Sequence, residues 1–149
     1  MKSFFLTAQL GSLKMGMHAT DVHALLGSPE DVGVRPFKGW TIEAYANCHL
    51  QLFYEEGIIG VIAVYFKSKN NPPALSEILD CAVPFSGSTT LQEFKMYLKD
   101  HDIPYKVDTR MPIDPSISRL IIGIGIAAVF DDDLLQDIMV SESSLGFKK

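Results

Sequence analysis

Two stretches of this chain repeat one pattern of side chains, and that repetition constrains the fold more than any single motif does. Leu52-Phe53-Tyr54-Glu55-Glu56-Gly57-Ile58-Ile59-Gly60-Val61-Ile62-Ala63-Val64 aligns without gaps with Ala128-Val129-Phe130-Asp131-Asp132-Asp133-Leu134-Leu135-Gln136-Asp137-Ile138-Met139-Val140. Each holds an aromatic residue, an acidic turn, two large aliphatics and then a strand-forming run, the pattern of a β-hairpin. Upstream, Val22, Leu25 and Leu26 align with Phe94, Tyr97 and Leu98. The offset is 128 − 52 = 76 at the hairpin and 94 − 22 = 72 at the helix, and four extra loop residues near positions 111–118 reconcile the two. An internal repeat of this kind implies two copies of one supersecondary unit.

The periodicity along the chain fills in those units. Residues 1–10 read as a strand. Val22, Leu25 and Leu26 form the apolar stripe of a helix over residues 19–26, with Gly27 at its C-terminal cap and Pro29 as a stop. Period two then takes over, and strands are expected at residues 40–45, 48–54 and 58–66. A polar linker, residues 67–73, ends in two prolines. Beyond it a strand is expected at residues 79–85, a helix at 91–99, a strand at 105–109, one long strand at 119–130 and a last strand at 134–140. The expected fold class is α+β: two tandem helix-then-antiparallel-strands units, residues 1–71 and 72–149, fused as one domain or standing as two. Helices cover one face of the sheet, and the two sheets meet edge to edge or face to face.

Function classes are narrowed first by charge. Lys and Arg number 13 against 18 Asp and Glu, a formal net charge of −5. Phosphate binding needs cationic side chains, so a sequence-independent grip on nucleic acid is not expected. An acidic surface suits solubility or a basic protein partner. The 47% hydrophobic and 21% charged content is that of a folded globular protein. Two cysteines, Cys48 and Cys81, are too few for a zinc cluster. They read as small buried hydrophobes in a reducing compartment, with a single Cys48–Cys81 bridge left open by the sequence. The apolar run after Lys2 is too short for a signal peptide, and the run at residues 120–130 is too short to span a bilayer. A cytoplasmic protein without membrane contact is expected.

Three motifs have a chemical reading and a plainer one. Asp131-Asp132-Asp133 is oxygen-rich, as calcium and magnesium sites are, but consecutive residues do not converge on one ion. Its counterpart Glu55-Glu56-Gly57 reads as a hairpin turn, so no metal is expected. Gly123-Ile124-Gly125-Ile126-Ala127-Ala128 fits the loosest dinucleotide fingerprint, yet the motif works only where a strand turns into a helix, and here a strand continues. No cofactor is expected. His18, His23, His49 and His101 are scattered, and Cys48 and His49, adjacent on an expected strand, point to opposite faces. No G-x-S-x-G or C-x-x-C motif occurs. No catalytic residue is assigned, and the chain is expected not to be an enzyme.

One string has a counterpart elsewhere. Leu13-Lys14-Met15-Gly16-Met17, followed by Val22, Leu25-Leu26-Gly27 and Pro29, resembles the signature of BamE-like (SmpA/OmlA) domains. The beta-lactamase-inhibitor proteins look like a tandem version of that fold. The resemblance covers residues 10–32. It implies a scaffold that binds other proteins, with no catalytic residues to carry over. His18 stands where the family has a capping Ser or Thr, and the lipid-anchoring cysteine of the outer-membrane members is absent.

Together these features suggest a protein-binding module. Its sharpest form is a bacterial inhibitor or immunity-type protein that neutralises a basic toxin or enzyme. The expected contacts are the loop aromatics Phe37 and Trp40 and the acidic turns Glu55, Glu56, Asp131, Asp132 and Asp133, because aromatic residues on loops are common interface anchors. Trp40 has a second reading, as the first residue of a strand packing into the core. The alternative function is small-ligand binding in an apolar cleft between the halves.

Overall fold

A computed structural model describes residues 1–35, 39–47, 49–110 and 114–141. It corrects the expected fold class. The protein is mostly β, built, among the described residues, on one eight-stranded antiparallel sheet with a small two-stranded sheet and three short helices, and not on two tandem helix-then-strands units. Helix α1 spans Lys2–Thr7, β1 Gln9–Leu10, β2 Leu13–Lys14 and α2 Ala19–Leu26. Then come β3 (Asp31–Arg35), β4 (Trp40–Tyr45), β5 (Leu50–Glu55) and β6 (Ile58–Tyr65). A 3₁₀ turn at Leu75–Glu77 and helix α3 (Leu91–Asp100) follow. The chain continues with β7 (Tyr105–Val107), β8 (Ile117–Ile122), β9 (Ile126–Asp131) and β10 (Leu134–Ser141).

The large sheet runs β3-β4-β5-β6-β10-β9-β8-β7. Its two meanders therefore join through their last strands. The seam between them is antiparallel, with Ile138 opposite Val64, Met139 opposite Ala63 and Val140 opposite Ile62. Ile62, Ala63, Val64, Ile138 and Val140 are fully buried. Strands this apolar are stable only inside a sheet with both edges paired, which the seam supplies.

All three helices lie on one face. Phe4 and Phe5 of α1, Val22 of α2 and Phe94 and Leu98 of α3 join Leu50, Leu52, Ile62, Val64, Leu120, Phe130 and Ile138 in one apolar cluster. Phe94 is its hub, with ring centroids 4.7 Å from Phe85, 5.3 Å from Phe130 and 5.9 Å from Phe5. A smaller cluster on the opposite face contains strand residues only: Phe53, Val61 and Ala63, with Trp40, Ile42, Tyr65 and Met139 packed against them.

Five further expectations change. Residues 2–7 are helical and not extended, because the adjacent Phe4 and Phe5 are both buried, whereas a strand would turn one of them away. Residues 79–85 form no strand. Leu79, Val83 and Phe85 fill the core as an irregular segment, so burial there is achieved without pairing. The expected long strand at 119–130 is two strands, β8 and β9, reversed at Gly123-Ile124-Gly125, with φ +54° at Gly123 and +126° at Gly125. Strand β3 lies where no strand was expected. The expected strand 48–54 begins at Leu50, with Cys48 outside the described residues.

Both acidic turns are two-residue hairpin loops. Positive φ at Glu56 (52°) and Gly57 (77°), and at Asp132 (49°) and Asp133 (64°), gives each the mirror-image turn that matches strand twist. Both turns also anchor a helix. The Ala19 N–H at the start of α2 donates to the Gly57 carbonyl at 2.8 Å, and the Leu91 N–H at the start of α3 donates to the Asp133 carbonyl at 2.9 Å. This explains how α2 begins at His18 with no side-chain cap. At α3 the turn adds to a full capping box between Thr90 and Glu93.

Gly123 carries a direct test of how α1 is seated. A Cβ there would run into the Phe5 carbonyl oxygen. Gly123→Ala is expected to lower unfolding stability by about 2 kcal/mol or more, from strain at positive φ plus displacement of α1. Urea denaturation measures it, and an unchanged midpoint would contradict this seating of α1.

Candidate functional site

The sheet face that carries no helix among the described residues is the best candidate, because the other polar cluster among those residues serves the core. On β4, alternate residues Trp40 and Ile42 face away from the helices. Phe53 on β5, Val61 and Tyr65 on β6 and Met139 on β10 share that face. Trp40 is half-buried, its ring laid over Gly60, where an added Cβ would come 3.3 Å from the indole edge. A glycine at 60 thus makes room for the tryptophan. Trp40 opens strand β4, and the cluster it joins is the outer one and not the main core.

A polar row crosses the same face. The register sets Arg119 opposite Val129, Val129 opposite Asp137 and Asp137 opposite Tyr65. Burial raises the Asp137 carboxyl to about 6, with the Arg119 charge opposing that rise. Arg119 reaches Asp108 at 3.6 Å through Nη1, while its Nε is buried with no hydrogen-bond partner. Asp108 is itself buried and accepts from the Arg110 backbone N–H and Nε. Those hydrogen bonds hold its carboxyl below the usual carboxylate range. Beside Asp137, at the end of the seam, lies a cavity of about 320 Å³ lined by Tyr65, Lys67, Lys69 and Gln136.

The proposed contact residues are not brought to one place. Because β6 and β10 are antiparallel, the turn that starts β6 and the turn that starts β10 lie at opposite ends of the sheet. Glu56, Asp132 and Asp133 are exposed, and Glu55 and Asp131 are partly buried. Their position beside the α2 and α3 N-termini is electrostatically favourable for acids. Phe37 lies outside the described residues.

Sequence reading missed a second polar group, under α2. His23 Nε2 lies 2.7 and 2.9 Å from the two oxygens of buried Glu43, and the Tyr45 hydroxyl donates to Glu43 Oε2 at 3.1 Å. The Tyr54 hydroxyl is buried nearby. Burial first, and the Glu43 charge second, push both tyrosines well above the normal phenol range. The cluster fastens α2 to β4 across the core face. Its one signal in the sequence is a glutamate within the period-two run of β4, on the strand face it shares with buried Tyr45. His18 and His101 end helices, and the Nδ1 of His49 lies 2.8 Å from the Tyr65 carbonyl oxygen. Among the described residues no group of three or more His, Cys, Asp or Glu side chains could hold a metal ion, and Cys81 is a free thiol.

No family model, curated protein or solved structure matches this chain. Among the described residues no helix is long and apolar enough to cross a membrane.

Asp137 gives this face a pH signature. Its folded-state value near 6 lies above the ordinary carboxylate value of 3.8, so the folded protein holds a proton that the unfolded chain releases. That contribution is fully present below pH 3.8 and is lost as pH rises through 6. Asp137→Asn is expected to be more stable than the parent at pH 7, by about 1–2 kcal/mol after allowing for partial exposure, with the difference shrinking towards pH 4. Paired thermal melts across this range check it, and a constant difference would count against the assignment.

Proposed function

We propose that this protein is a protein-binding module that uses the helix-free face of its sheet. The observation that carries the reading is the outer cluster of Trp40, Ile42, Phe53, Tyr65 and Met139, which no helix among the described residues covers. Half-buried aromatic residues and methionine are the usual anchors of protein interfaces. The acidic turns at the two ends of the sheet set negative charge beyond this band, and the net charge is −5. The partner fitting that pattern is a protein with an apolar anchor and a basic rim.

The sharper form is an inhibitor or immunity-type protein that neutralises a basic toxin or enzyme in the bacterial cytoplasm. The Gly16-Met17 to Pro29 string that resembles BamE-like domains supports a binding role. In this fold that string shapes the α2 entry: Gly16 has φ +82°, and its N–H donates to the Ile59 carbonyl. The alternative is a small ligand between the halves, and the cavity of about 320 Å³ beside Asp137 supports it. Stabilisation by a small molecule in a thermal-shift screen would favour it, because a ligand of the native state raises the melting temperature.

Affinity capture from the native host is expected to recover a basic protein in stoichiometric amount. Binding is expected to weaken by about tenfold or more with Trp40→Ala or Met139→Glu, the scale of an interface anchor, and to weaken with salt. Capture of an acidic partner, or of one indifferent to both substitutions in folded protein, would overturn this reading.

A further inference from the structure

Among the described residues the eight-stranded sheet ends on two strands with no further neighbour, β3 and β7, and the two edges are unlike. β7 is three residues long with Lys106 at its centre, a short and charged edge of the kind that discourages pairing. β3 is five residues long, Asp31-Val32-Gly33-Val34-Arg35. Val34 and Val32 are 68% and 56% exposed, more than any other large hydrophobic residue among those described.

The outward-facing backbone groups of β3 follow from bonds elsewhere in the sheet. The Phe66 N–H donates to Gln136 across the seam, and the Tyr65 N–H donates to His49 on the β5 side. Hydrogen-bonding direction alternates along each antiparallel strand and carries from strand to strand through the register. Residues 61, 63 and 65 of β6 thus face β5, residues 41, 43 and 45 of β4 face β5, and residues 31, 33 and 35 of β3 face β4. Val32 and Val34 are left with N–H and C=O directed away from the sheet. In agreement, the Val32 N–H is held by the neighbouring Asp31 carboxylate at 2.9 Å and not by a strand.

We propose that two copies of this chain pair antiparallel through β3, about a two-fold axis at Gly33. The segment is complementary to itself in that register. Val32 falls opposite Val34 of the second copy, and these are the residues whose backbone groups face outward, so each N–H meets a carbonyl. The two valines are on the same face of the extended sheet and form an apolar cross-strand pair. Gly33 meets Gly33, with no Cβ on either side at the closest point of the axis. The acid at position 31 stands at the register position opposite the base at position 35, a non-hydrogen-bonded site of the ladder. A shift by one residue would set outward backbone groups against inward ones and lose the charge match. Such an isologous contact closes on itself, so it gives a dimer and no fibre. The Asp31 carboxylate, displaced from Val32, is released for the second copy.

Sedimentation of the full chain from about 1 µM to about 1 mM, the span of weak to moderate affinity, tests this. The expected result is a reversible monomer–dimer equilibrium. Val34→Glu and Asp31→Arg are each expected to raise the dissociation constant by about tenfold or more, because each like-charge or buried-charge fault occurs twice in a two-fold contact. The reciprocal exchange D31R/R35D restores opposite charges and is expected to regain most of the loss. Circular dichroism confirms that each variant is folded, and these edge positions leave the core untouched. A monomer at every concentration overturns the proposal. So does a dimer indifferent to Val34→Glu, or a folded D31R/R35D protein no tighter than Asp31→Arg alone.

Discussion

The pairing of β6 with β10 is the constraint on which the rest of the molecule depends. It turns two four-stranded meanders into one sheet whose centre is buried on both faces, with Ala63 fully buried towards the outer side and Ile62, Val64, Ile138 and Val140 towards the helices. Without it, two long apolar strands would be edges, with unpaired backbone groups exposed to water. It also gives the helices a surface wide enough to share one core. Phe94 of α3 touches Phe5 of α1 and Phe130 of β9 because all three stand over the same continuous sheet.

The acidic turns serve the fold as well as the surface. Each turn carbonyl accepts from the first N–H of a helix, so turn and helix start hold one another in place. Acids on such a turn lie where the helix dipole is positive and stabilise the junction as well as giving the surface its charge. An acid in this location has a structural use whatever protein comes near it.

Much of the strand content was legible because period-two alternation and acidic hairpin turns are local signals. Helix Ala19–Leu26 was readable from its stripe and its glycine cap, and both turns from their residues. What was not legible is non-local. The joining of two meanders by their last strands leaves no mark within either one, so one mostly β sheet looked like two helix-bearing units. Helix α1 was hidden because Phe4-Phe5 suits a strand equally well, and its helical state is decided by Phe85 and Gly123 far along the chain. The β8–β9 reversal was missed because its turn is flanked by isoleucines and reads as one apolar run. Of the candidate site, Trp40 was visible in the sequence. Its company on the outer face required knowing which strands are neighbours, and the Glu43–His23 pair links residues 20 apart on a helix and a strand.

The seam also sets the order in which the molecule can be assembled. Its centre pairs Met139 with Ala63, residues 139 − 63 = 76 apart, and these are the same positions that the hairpin alignment equates. Closing so long a loop costs entropy before any seam hydrogen bond is made, which slows folding. On the ribosome, the first meander emerges with β6, Ile58-Ile59-Gly60-Val61-Ile62-Ala63-Val64-Tyr65, as a bare edge without a single charge. It stays uncovered until β10 has been made. During that interval β6 is the segment of the chain most able to pair with the wrong strand, including the same strand of another nascent chain.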